Sequence, residues 1–228
     1  MPNNFLSYVE SHGPAGCIGL KKVNLSGMKI KSIPASDSGN ANFLLGNVLL
    51  EELSVPTLVT DGGIKPTVPN YFMVSPFAES GTIPASLSKI DLTGFADVRE
   101  IGDYFLAGSS ALTDINLDAL KSLEGDNGIV DSFLEGCTGL KTVDLSCLKN
   151  ITAINDNFLA YCTNLTSIDL TPLSNVTKIA NATDYKAGGF LENCDRITYI
   201  DLSPLSNITE IPNGFLWSCD NVKTVNLS

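Results

Sequence analysis

Residues 157–170 read NFLAYCTNLTSIDL, and the skeleton FLxxCxxLxxIDL inside them returns along the chain. It recurs as FLEGCTGLKTVDL from Phe133, FLENCDRITYIDL from Phe190 and FLWSCDNVKTVNL from Phe215. The residue heading each LxxIDL, at Leu20, Leu50, Leu87, Leu112, Leu140, Leu165, Ile197 and Val222, gives intervals of 30, 37, 25, 28, 25, 32 and 25 residues. A unit of 25 residues with insertions therefore organises the 228-residue chain, and self-similarity at such a period predicts stacked units with a shared core.

Within LTSIDL, Ile168 and Leu170 alternate with Ser167 and Asp169, which is the period of a strand with one buried face. Eight parallel strands are expected, near Val23, Leu53, Ile90, Ile115, Val143, Ile168, Ile200 and Val225, stacking into one continuous sheet. The SPLSN and TPLSN segments that follow the later strands predict turns. Apolar pairs such as Ile151/Ile154, Val176/Ile179 and Ile208/Ile211 predict a short extended crossing. In the FLxxC segment Phe158, Cys162 and Leu165 are four and three residues apart, which predicts one buried face of a short helix. The column Phe43, Phe72, Phe105, Phe133, Phe158, Phe190 and Phe215 predicts a hydrophobic spine.

Composition narrows the function. Hydrophobic residues make up 43% and charged residues 17%, enough for a sizeable core, and the net charge is −11. Nucleic-acid binding is disfavoured, because phosphate neutralisation needs clustered Lys and Arg. No run of about 18 apolar residues exists, so no membrane insertion is expected. The first residues, MPNNFLSYVESHGP, have neither the basic nor the apolar part of a secretory signal.

The single histidine, His12, reads as a surface residue and removes the usual participant of charge-relay or His-based metal chemistry. No phosphate loop or isolated carboxylate pair suggests an enzyme, and no catalytic residue, cofactor or metal site is expected. Cys17, Cys137, Cys162, Cys194 and Cys219 stand three residues before the marker, where other units have Asn47 or Ser109. That exchange predicts buried, reduced thiols, with disulfides between neighbouring units and metal binding as weaker alternatives. Cys147, in SCLKN, is expected to be more exposed.

With those residues in view, the pattern resembles leucine-rich repeats of the BspA type. The resemblance is carried by Phe133 to Leu145, Phe158 to Leu170, Phe190 to Leu202 and Phe215 to Leu227, and more loosely by Phe43 to Val55 and Phe105 to Leu117. It implies an α/β fold: a right-handed, curved solenoid with about eight parallel strands on the concave face and short helices or irregular segments on the convex side. A single solenoid over 1–228 is expected, with a partial unit or cap at 1–19, irregular repeats at 20–86 and regular repeats at 87–228. The family has no catalytic residues to carry over. It implies a secreted or cell-surface protein that adheres to other proteins, host or cell-surface, while a spacer presenting another domain is the alternative.

Two places could carry binding. The outward strand residues Asn24, Ser54, Asp91, Asn116, Asp144, Asp169, Asp201 and Asn226 form a column with neighbours about 5 Å apart. Like charges at that distance need an offset, which the hydroxyls of Ser146, Thr171 and Ser203 could supply. Three readings stand: a solvated polar ladder, a surface for a basic partner through Asp91, Asn116, Asp144, Asp169 and Asp201, and a calcium site. The second place is a flank. Leu to Phe spans 13 residues in regular units, but 16 from Leu117 to Phe133 and 20 from Leu170 to Phe190. The inserted loops make Asp126, Asn127, Tyr185 and Lys186 candidate partner contacts, against the plainer reading of tolerated length variation. The open strand at VNLS suggests either a fragment or self-association through that edge. The sequons at Asn150 and Asn207 repeat with the unit, which favours turn chemistry over glycosylation.

Overall fold

The computed structural model describes residues 19–33, 44, 49–73, 85–125, 131–180 and 189–228. Its strands are short: β1 Lys22–Asn24, β2 Lys29–Ile30, β3 Glu52–Ser54, β4 Thr57–Leu58, β5 Thr67–Val68, β6 Lys89–Asp91, β7 Glu100–Ile101, β8 Ala153–Ile154, β9 Lys178–Ile179, β10 Tyr199–Asp201 and β11 Thr224–Asn226. Every paired strand runs parallel to its neighbour, as units that return to the same edge require. The register keeps equivalent residues side by side, with Val23 opposite Leu53, Leu53 opposite Ile90, and Ile200 opposite Val225.

Five of the eight expected strand positions are strands, in a three-stranded sheet β1-β3-β6 and a two-stranded sheet β10-β11. The sheet is not continuous, and residues around Ile115, Val143 and Ile168 carry no strand. Inward residues there stay buried, Leu117, Leu145 and Leu170 at 2%, 1% and 1% exposure. Side-chain burial sets that path, helped by single bonds such as Thr166 N–H to the Lys141 carbonyl at 3.0 Å.

A second set of parallel ladders, β2-β4, β5-β7 and β8-β9, includes Ile154 and Ile179 of the expected crossings, while Ile208 and Ile211 carry no strand. Between the ladders lie 3-10 turns at Thr93–Phe95, Asp118–Leu120, Ser146–Leu148, Thr171–Leu173 and Ser203–Leu205. These occupy the SPLSN position, where Pro172 and Pro204 stand in the first turn, a place that requires no N–H.

The FLxxC segment is not a helix. Asn157, Leu159 and Tyr161 have φ of 59°, 54° and 61°, and Leu106, Leu134, Leu191 and Leu216 repeat the left-handed conformation at 54–56°. Such backbone is unfavourable for residues with a Cβ. It persists because it aims the backbone at neighbouring units. Leu134 N–H reaches the Phe105 carbonyl at 3.1 Å, and the Leu159, Leu191 and Leu216 N–H groups reach the Phe133, Phe158 and Phe190 carbonyls at 3.0 Å. The chain reversals bury Phe158, Leu159, Ala160 and Cys162 together, each at 0–1% exposure, which one face of a helix could not do.

The Phe spine is present over the described residues. Rings of Phe72, Phe105, Phe133, Phe158, Phe190 and Phe215 stack in sequence with centroids 5.1–5.8 Å apart and planes within 15°. Phe43 lies outside the described residues.

The thiols complete the turns. Cys137, Cys162 and Cys194 Sγ each donate to the carbonyl of the left-handed Leu106, Leu134 or Leu159 at 3.3 Å, and Cys219 Sγ to Leu191 at 3.0 Å. All five described cysteines are free; Cys17 is outside the described residues. Cys147 is buried at 4% exposure, contrary to its expected exposure, because its 3-10 turn points it into the core. Burial pushes the Cys137 and Cys147 thiols up to about 12, and Cys162 and Cys194 higher still, so none is a thiolate at neutral pH.

Ser109 holds the cysteine position in its unit, fully buried, with a hydroxyl that finds no hydrogen-bond partner among the described residues. A stranded buried hydroxyl costs about 1–3 kcal/mol. Ser109→Cys, whose longer and less polar thiol matches the other units, is expected to raise the melting temperature measured by circular dichroism; an unchanged or lower value would contradict this account.

Candidate functional site

The outward strand residues begin as turn formers. Asn24, Asp91, Asn116, Asp144, Asp169, Asp201 and Asn226 each accept, on Oδ1, the backbone N–H two residues on, at 2.8–3.2 Å. This side-chain turn stops the strand and starts the 3-10 turn. Ser54 departs from the pattern because the residue two positions on is Pro56, which has no N–H.

Through the β1-β3-β6 register Asp91 lies beside Ser54, which in turn lies beside Asn24. Asp201 pairs with Asn226, whose Nδ2 donates to Asp201 Oδ1 at 3.0 Å. The hydroxyls of Ser146, Thr171 and Ser203, followed by the backbone N–H of the same residues, hold Asp144, Asp169 and Asp201 below the usual carboxylate range. Burial, and after it the Asp144 and Asp201 charges, push Asp169 partly back, so Asp169 sits within electrostatic reach of both neighbours. Among the described residues no group of three or more His, Cys, Asp or Glu is arranged to hold a metal ion.

The column's charge is uneven along the molecule. At the strand position preceding it by two, Lys22, Glu52 and Lys89 stand side by side, and Lys22–Glu52 and Lys21–Glu51 ion pairs close at 2.6 and 2.7 Å. Charge in the first half is thereby balanced on the face itself. In the last units the equivalent residues are Ser167, Tyr199 and Thr224, and Tyr199 is 52% exposed. Tyr199 is an exposed aromatic beside the column that the sequence reading did not single out, although the alternation in ITYIDL already placed it outward, two residues before Asp201.

The flank candidates Asp126, Asn127, Tyr185 and Lys186 lie outside the described residues. The described chain before them runs to Gly125, which bridges to Ile151, and to Ala180, which follows β9.

Two polar features of the FLxxC side are structural. Asn70, Asp103, Asp131 and Asp156 form a ladder, one per unit: Asn70 Oδ1 accepts the Asp103 N–H, and Asp103 Oδ1 accepts the Asp131 N–H, both at 3.0 Å. Glu192, buried at 5% exposure, accepts Tyr161 Oη at 2.7 Å, Gly189 N–H at 2.8 Å and Asn193 Nδ2 at 3.1 Å. Three donors satisfy the carboxylate without a cation. Asn207 Nδ2 donates to the Ser174 carbonyl and Asn175 Nδ2 to that of Lys149, both at 2.8 Å, so these turn asparagines tie consecutive units together.

Burial above all pushes Glu135 up, against the opposing hydrogen bond of the Ser132 hydroxyl, with the Glu192 charge adding least. A carboxyl raised by folding contributes stability fully below its unfolded pKa, about 4.3, and loses it as pH rises through the folded value. Asp144, Asp169 and Asp201 run the other way: their contribution is present above the unfolded pKa and is lost as pH falls through the lowered one. Glu135→Gln is therefore expected to gain melting temperature over the parent as pH rises from about 4.5 to neutrality; a difference that does not change with pH would contradict it.

The BspA-type leucine-rich repeat model matches residues 70–188 and 173–228, in six copies. The chain belongs to the BspA-type leucine-rich repeat family. Members are repeat solenoids of the protein-recognition kind, and the parallel ladders and few helices of this chain agree with that architecture. No curated protein matches. Among solved structures, an internalin from Listeria monocytogenes aligns over 90% of this chain and 86% of its own, with 14% identity and a TM-score of 0.19; so distant a likeness carries no argument about function. No helix among the described residues is long and apolar enough to cross a membrane.

Proposed function

We propose that the chain is a non-catalytic recognition module that binds a protein partner on the concave strand face of a right-handed solenoid spanning 1–228. The observation that carries this reading is the uncompensated acidic column in the last units, Asp144, Asp169 and Asp201, with Tyr199 exposed beside it. The carboxylates stay ionised because their own turns stabilise the charge, and one oxygen of each is engaged there. Their remaining acceptor capacity suits a basic, extended segment, and Tyr199 adds apolar area and a hydroxyl. Family membership supports a secreted or cell-surface, adhesive role.

The test is capture from extracellular-matrix and cell-surface protein preparations, followed by measured binding of whatever is captured. The triple variant Asp144→Asn, Asp169→Asn, Asp201→Asn, and Tyr199→Ala separately, are expected to weaken it at least tenfold, the former with a flatter salt dependence. Full binding by both variants, or no specific partner at all, would overturn the assignment.

A further inference from the structure

Just past each 3-10 turn stands a residue beside the preceding unit. Five positions beyond Leu92, Leu117, Leu145, Leu170 and Leu202, these are Asp97, Ser122, Asn150, Asn175 and Asn207. Three of them make the same contact: Ser122 Oγ donates to the Ala96 carbonyl, Asn175 Nδ2 to that of Lys149 and Asn207 Nδ2 to that of Ser174, all at 2.8 Å. The acceptor is each time the residue just before the preceding member of the column, so Asn150 would find its own at Lys121.

Asn150 does not make this bond. Its backbone carbonyl accepts the Gly125 N–H at 3.2 Å, but its carboxamide has no hydrogen-bond partner among the described residues, and the residue is exposed. An amide that holds nothing in the fold is open to chemistry, and Asn150-Ile151-Thr152 is an acceptor sequence for N-linked carbohydrate. The other such sequences among the described residues are committed elsewhere. Asn164 Nδ2 holds the Thr138 carbonyl at 2.6 Å, Asn175 and Asn207 hold theirs as above, and Asn226 Nδ2 donates to Asp201 at 3.0 Å. Asn24 Oδ1 takes both the N–H and the hydroxyl of Ser26, and Asn24 stands in the concave column itself, where a glycan would cover the face.

We propose that Asn150 is a site of N-linked glycosylation, set off the concave column beyond the 3-10 turn Ser146–Leu148. The donor is a lipid-diphosphate-linked oligosaccharide presented by a transferase. Asn150 Nδ2 attacks the anomeric carbon; the new C–N bond forms as the bond from that carbon to the diphosphate oxygen breaks. The Nδ2 proton passes to a base of the transferase, and the lipid diphosphate leaves. Ile151 is fully buried behind the site, while Lys121, Lys149 and Ser174 beside it are exposed, so a glycan on Nδ2 extends into water and displaces no core residue. On Asn175 or Asn207 the same group would occupy the nitrogen that ties two units together.

This rests on the secreted or cell-surface reading, and the test supplies secretion itself. The chain is expressed behind a signal sequence in a eukaryotic secretory host, and the folded, secreted fraction is mapped by peptide mass spectrometry after release with peptide-N-glycosidase in water enriched in the heavy oxygen isotope. Carbohydrate is expected on Asn150 and absent from Asn164, Asn175 and Asn207. Asn150→Ala should lose that carbohydrate and, when produced in bacteria, melt at the parent temperature, whereas Asn175→Ala and Asn207→Ala should melt lower. A bare Asn150 in the secreted protein, equal occupancy at Asn175 or Asn207, or a melting-temperature loss for Asn150→Ala as large as that for Asn207→Ala would each overturn the assignment. Because the host provides the leader, a negative result counts against the site and not against the location, and partner capture by the concave face is measured separately.

Discussion

Phe158→Ala is expected to lower the unfolding free energy by about 3–5 kcal/mol, the cost of removing a buried aromatic side chain and leaving a cavity. Phe158 is 1% exposed and stacks on Phe133 and on Phe190 at 5.7 Å in both directions. Its carbonyl also accepts the Leu191 N–H at 3.0 Å, so collapse of the site disturbs the turn of the next unit. Because each unit contacts only its neighbours, the loss should also uncouple the two sides of the stack and broaden the transition. Chemical denaturation followed by circular dichroism measures both effects; a parent-like midpoint would sink the assignment of the Phe column as the spine.

Gly139→Ala should be nearly as damaging, by about 3 kcal/mol at the upper end of overpacking costs. A Cβ at Gly139 would overlap the backbone oxygens of Leu112 and Ser110 in the preceding unit. Those atoms belong to a turn closed by the Leu112 N–H to Ser109 carbonyl bond at 3.1 Å, so they have no rotamer to give way. The units at Leu112 and Leu140 would have to separate, and the melting temperature should drop sharply. Gly27, whose Cβ would meet nothing within 4 Å, is the matched control. Equal melting temperatures for Gly139→Ala and Gly27→Ala would refute the close approach.

Much of this was legible in the sequence because burial follows a short period. Phe, Leu and Cys recur at the same place in each unit, and a residue that stacks on its own equivalent must be apolar throughout, as the ring ladder from Phe72 to Phe215 is. The Asp column was legible for the same reason, and so were its hydroxyl partners, two residues on. The burial of Cys147 is not legible, because nothing in SCLKN distinguishes an exposed turn from a 3-10 turn rotated inward. The outward placing of Tyr199 is legible in the alternation of ITYIDL, two residues before Asp201.

The repeat by itself determined that the chain stacks in parallel register, which residues face inward, and that its thiols are packing groups: each is set by side-chain polarity at fixed spacing. The tertiary structure decided how the FLxxC segment runs. Phe158, Cys162 and Leu165 fit a helix face as well as they fit a chain of turns, and the choice falls to groups far away in sequence. The Phe133 carbonyl takes the Leu159 N–H at 3.0 Å, and the Leu134 carbonyl takes the Cys162 thiol at 3.3 Å. Those inter-unit bonds offset the left-handed backbone that the turns require, and they exist only once the neighbouring unit is in place.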